Sequence, residues 1–134
     1  MENNGLCHLH LTINAKVALK DKVLSKSRCE KFLKKLLALA DMKPLGPLNY
    51  SDALDKSNPG QSFVQMITTS HCSLHYFSKS GEIYFDLYSC KKYDPDKIIS
   101  LVYKEFKILE STVSVTERVP TSGSGSILYK HGAI

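Results

Sequence analysis

Ser62-Phe-Val-Gln-Met-Ile-Thr-Thr-Ser70-His-Cys-Ser-Leu-His75-Tyr-Phe77, then Ser78-Lys-Ser-Gly81, then Glu82-Ile-Tyr-Phe-Asp86-Leu-Tyr-Ser-Cys90 is the stretch that decides the reading of this chain. Phe63–Thr69 reads as a strand. His71–Phe77 and Glu82–Tyr88 read as two more, joined through the glycine-containing turn as a hairpin. In the last strand Ile83, Phe85 and Leu87 point one way, while Tyr84, Asp86, Tyr88 and Cys90 share the other face. The first set belongs to a core. The second is semi-polar and aromatic, which suits a binding site or a dimer interface better than bulk water.

Outward from this stretch the pattern changes period. Residues 5–14 set Cys7, Leu9, Leu11 and Ile13 against Leu6, His8, His10 and Thr12, a strand with one buried face. From about Lys22 to Asp41 the spacing is helical, with Phe32, Leu33, Leu36, Leu37, Leu39 and Ala40 as the apolar stripe. Ser27 with Glu30 fits a capping box, with a start one turn earlier as the alternative. Residues 43–61 hold three of the five prolines and read as a surface loop, with a short strand near Leu48–Tyr50. Asp94-Pro95 starts a second helix, with aspartate as cap and proline in the first position. Ile98, Ile99, Val102, Phe106 and Leu109 trace its buried face. Thr112–Arg118 alternates again. Two amphipathic helices and at least four strands predict an α+β fold, a two-layer α/β sandwich with both helices on one face of a mostly antiparallel sheet. A single domain over 1–119 is expected, and a flexible C-terminal tail over 120–134.

The chain has 134 residues, enough for one core. No apolar run approaches the roughly 18–20 residues of a membrane helix, and Met1-Glu-Asn-Asn-Gly5 has no features of a signal peptide. A cytoplasmic location and no membrane partner are the resulting expectations. The net charge of +5 comes largely from lysines interleaved with apolar residues at helical spacing, the wet face of a helix. No nucleic-acid partner is expected. Cys7, Cys29, Cys72 and Cys90 contain no Cys-x-x-Cys pair and read as reduced thiols. His8, His10, His71 and His75 could converge only if their strands were neighbours, and no metal site is expected.

Ser-His-x-Ser-x-His at 70–75, Asp-x-Tyr-Ser-Cys at 86–90 and the Asp94-Pro95 helix start resemble the short bacterial and archaeal S-adenosylmethionine decarboxylases over residues 62–118. The resemblance implies a self-processing, pyruvoyl-dependent carboxy-lyase. In such enzymes the serine hydroxyl attacks the preceding carbonyl, here that of Thr69, and the peptide becomes an ester. Removal of the serine α-proton expels the ester, and the resulting dehydroalanine hydrolyses to a pyruvoyl group. The chain is thereby cut between Thr69 and Ser70. The ketone forms a Schiff base with the substrate amine and accepts the electron pair left as CO2 departs.

By the same resemblance Ser70 is the pyruvoyl precursor and His75 the processing base. Cys90 is the proton donor, and Ser62 assists processing. The implied product is the aminopropyl donor for spermidine and other polyamines, and the implied assembly is a homodimer. The chain departs from the family in carrying Thr69 where a glutamate is usual. It also has no carboxylate after the first-strand histidines, and Lys56 where an adenine-stacking aromatic is expected. Tyr50 is the substitute candidate for that stack, and Asp86 the candidate carboxylate near the substrate. The same chemistry on ornithine or arginine, and a non-processing regulatory homologue, are the alternatives.

Overall fold

The computed structural model describes residues 6–19, 22–120 and 125–131. Its chain order is β1 (Leu6–Val17), α1 (Lys26–Ala40), β2 (Asn49–Ala53), β3 (Gly60–Ile67), β4 (Ser70–Phe77), β5 (Glu82–Lys91), α2 (Pro95–Phe106), β6 (Ile108–Glu117) and β7 (Gly125–His131). The strands form one sheet in the order β2-β3-β4-β5-β1-β6-β7, and every neighbouring pair is antiparallel. Both helices cover the same face, so the two-layer α+β arrangement is the observed one.

The alternation of apolar residues places the core. Leu11, Ile13 and Ala15 of β1, Leu74 and Tyr76 of β4, and Ile83, Phe85 and Leu87 of β5 are buried beneath the helices. Phe32 of α1 sits at the centre, its ring 4.9 Å from Phe106 of α2, 6.1 Å from Phe85 and 6.3 Å from Phe63. Such close ring pairs add edge-to-face attraction to the burial of large apolar area.

Local chemistry sets the element ends. The α1 cap is Ser25, whose hydroxyl accepts from the Arg28 amide at 3.1 Å; Ser27 lies inside the helix, so the predicted Ser27–Glu30 capping box does not form. Asp94 caps α2 by accepting from the Asp96 amide, with Pro95 first in the helix as expected. Gly60 opens β3 against Phe77, where a Cβ would stand 1.9 Å from the Tyr76 carbonyl oxygen. No side chain fits there.

Within the stretch expected as a flexible C-terminal tail, 120–134, one segment pairs with the sheet. Gly125–His131 form β7 and pair with β6 from Glu117 to Ser111. Ladder pairing to an exposed edge satisfies that segment's backbone groups regardless of the Gly/Ser run before it. Residues 121–124 and 132–134 lie outside the described residues.

Candidate active site

The predicted cleavage bond lies in the tight β3–β4 hairpin. Ile67 pairs with Ser70, leaving only Thr68 and Thr69 in the turn. Thr69 has φ +53°, in the left-handed region. Asp41 and Lys107 share that conformation, but both terminate helices, where it is common. Thr69 is β-branched and inside a hairpin turn, where left-handed backbone is strained by about 1–3 kcal/mol.

Ser70 follows immediately, first in β4 and buried on the helix side. Its hydroxyl donates to Ser89 Oγ at 2.9 Å, with the Thr68 carbonyl oxygen at 3.3 Å. Ser89 is its cross-strand partner on β5 and is fully buried. Its Oγ also accepts from the Lys91 amide at 2.9 Å. Cys90, next along β5, is half-buried, with its Sγ 2.7 Å from Thr69 Oγ1. The turn, the buried serine and the thiol therefore meet at one end of the sheet.

Ser62 and His75 form a second group. They are directly paired across β3 and β4, and Ser62 Oγ lies 2.8 Å from His75 Nδ1. His75 is exposed on the open sheet face. It stands five residues along β4 from Ser70, roughly 16 Å of strand, and on the opposite face. The fold brings Ser70 to Cys90 and Ser62 to His75, but it does not bring the two pairs together within one chain.

Asp86 anchors a network on that same open face. Its carboxylate accepts from Ser73 Oγ at 2.6 Å and lies 2.9 Å from His10 Nε2, with His71 Nε2 at 3.8 Å. Partial burial pushes the Asp86 carboxyl up, but the bonds from Ser73 and His10 outweigh it and hold the group below its usual range. Among the described residues no group of three histidines, cysteines or carboxylates is arranged to hold a metal ion. Beyond Asp86, His8 Nδ1 meets Tyr88 Oη at 2.6 Å, and the Arg118 guanidinium lies 5.3 Å from the Tyr88 ring centre. His8, His71, Tyr88 and Arg118 line a cleft of about 600 Å³ at the Ser70 end of the sheet.

Tyr50 is used differently from the expectation. It pairs with Phe63, so its ring shares the helix side, and its hydroxyl donates to the Leu24 carbonyl at 2.7 Å. That commitment to the core removes it from the open face as a stacking surface for a base. Ser89 was missed by the sequence reading, although a signal was present: it shares the parity of Ile83, Phe85 and Leu87. A hydroxyl placed on that face must find a partner, and Ser70 supplies it.

The S-adenosylmethionine decarboxylase family profile matches residues 9–119, and the chain belongs to that family. Its function is accordingly S-adenosylmethionine decarboxylase-like. No curated protein matches the chain. Among the described residues no helix is long and apolar enough to cross a membrane.

Proposed function

We propose that the chain is a proenzyme that cuts itself between Thr69 and Ser70, converts Ser70 to a pyruvoyl group, and decarboxylates S-adenosylmethionine to supply aminopropyl groups for polyamine synthesis. The observation that carries this reading is the buried Ser70 hydroxyl directly after a strained, left-handed Thr69, with the Cys90 thiol against the same turn.

The residues present fit that cofactor. Ser70 Oγ attacks the Thr69 carbonyl carbon, the C–N bond breaks, and the nitrogen takes a proton. Left-handed strain at Thr69 raises the energy of the peptide relative to the ester and so favours the shift. A glutamate at 69 is not required for this, since the strain resides in the backbone. Ser89 holds the Ser70 side chain in one rotamer before the attack. A pyruvoyl ketone at this position supplies an electron sink for the pair released with CO2. Cys90, beside the turn, then returns a proton to the carbon that lost the carboxyl group.

Ser62 and His75 act on Ser70 of a second copy in this reading. Their separation from Ser70 within one chain leaves them no role in their own chain's cleavage. The open face that carries them also exposes Val64, Met66 and Tyr84, apolar area suited to a homodimer contact.

Release of labelled CO2 from carboxyl-labelled S-adenosylmethionine tests the reading, beside parallel assays on ornithine and arginine. Wild type releases CO2 from the nucleoside substrate, and Ser70→Ala does not. Release from ornithine or arginine alone would move the assignment to a basic amino acid. Tyr50's place on the helix side favours that alternative, because a short amino acid needs no aromatic stack. An uncleaved, inactive wild type would point to a regulatory homologue.

A further inference from the structure

Cys7 and Cys90 lie on the two strands that flank a fault in the β1–β5 ladder. Leu6 pairs with Lys91, whereas Leu9 pairs with Ser89. Two residues of β1, Cys7 and His8, therefore stand against the single residue Cys90, a two-against-one bulge. Continuing the Leu6–Lys91 register sets Cys7 against Cys90, and continuing the Leu9–Ser89 register sets His8 there, so both border the same thiol. Directly opposed Cα atoms lie about 4.5–5.5 Å apart, inside the roughly 4.4–6.8 Å that a disulfide spans. Both thiols are free and half-buried, whereas Cys29 and Cys72 are buried in the core. Burial and then the Glu117 carboxylate push the Cys7 thiol up, and Cys90 adds to the effect.

We propose that Cys7 and Cys90 form a reversible disulfide when the protein meets a peroxide, and that this bond switches the enzyme off. The second half rests on the reading of Cys90 as proton donor. One thiolate attacks a peroxide oxygen, giving a sulfenic acid and hydroxide. The other thiol displaces that oxygen as water, and the S–S bond forms. Two electrons leave the two sulfurs and reduce one peroxide. The bond removes the Cys90 proton. In the cleaved protein it also joins residues 1–69 to residues 70–134, since the cysteines lie on opposite sides of the cut. Dithiothreitol, or a cellular dithiol, reverses it.

The test exposes purified wild type and Cys7→Ser to hydrogen peroxide, then blocks free thiols with N-ethylmaleimide after denaturation and maps the peptides without reduction. The expected wild-type result is a linked pair of peptides carrying Cys7 and Cys90 and the loss of two blockable thiols. CO2 release falls in proportion to the linked fraction and returns with dithiothreitol. In Cys7→Ser the link is absent, and activity lost to peroxide does not return, because Cys90 continues to the sulfinic acid. Wild-type Cys90 oxidised with Cys7 still free would overturn the proposal, and so would a full link with undiminished CO2 release. The link is read from peptide masses alone, so a chain without decarboxylase activity still decides whether the bond forms.

Discussion

Thr69 offers a test of stored backbone strain, through a comparison of Thr69→Ala with Thr69→Gly on a Ser70→Ala background that cannot be cleaved. Both variants lose the threonine side chain and its contacts with the Thr68 carbonyl and Cys90. They differ in what φ +53° costs. A residue with a Cβ is strained there by about 1–2 kcal/mol, and glycine is not. Glycine's freer unfolded chain takes back about 0.4–1 kcal/mol. The difference favours Thr69→Gly by roughly 0.5–1 kcal/mol, read as a Tm about 2–4 °C higher. With Ser70 restored, about 1 kcal/mol of strain released on reaching the transition state corresponds to about fivefold in rate. Thr69→Gly should therefore be cleaved about fivefold more slowly than Thr69→Ala, followed by denaturing electrophoresis over time. A glycine variant that is both less stable and faster to cleave would refute the argument.

Co-expression of a Ser70→Ala copy with a His75→Ala copy should restore cleavage of the His75→Ala chain, because the Ser62–His75 pair of its partner is intact; mass spectrometry of the mixture showing no cut chain would contradict a shared site. Asp86 is held below its usual range, so its contribution to stability is complete above the unfolded value near pH 4 and is lost as pH falls through the depressed value. Urea unfolding should accordingly show the wild-type advantage over Asp86→Asn shrinking below about pH 4, whereas a gap independent of pH would refute the role given to Ser73 and His10. Phe32→Ala should cost about 3–5 kcal/mol in the same assay, since it empties the centre of the helix–sheet core; a loss under about 1 kcal/mol would mean that the core collapses around the gap.

Most of the sheet was legible because alternation writes itself into sequence. Ile83, Phe85 and Leu87 are buried, and Tyr84, Asp86, Tyr88 and Cys90 face the other side. Ser70 and His75 differ by an odd number of residues, and a regular β4 accordingly sets them on opposite faces. Other features depended on pairing that composition does not encode. Tyr50 could be assigned a face only once β2 was set in register with β3, which put it beside Phe63. The Gly/Ser run before Ile127 reads as a linker, and only pairing to the free edge of β6 makes Gly125–His131 a strand. Ser25 and Ser27 are equally good caps by composition; which amide points at which hydroxyl is decided where the backbone turns into the helix. The left-handed Thr69 has no sequence signature, because a β-branched residue is among the least expected there. It results from closing β3 onto β4 with only two residues between them.

The most direct measurement is a denaturing mass spectrum of the purified protein beside its Ser70→Ala variant. The account predicts two fragments from wild type, residues 1–69 and residues 70–134, with the second carrying a blocked pyruvoyl N-terminus, and one intact chain from the variant. A single intact wild-type chain after long incubation would contradict it.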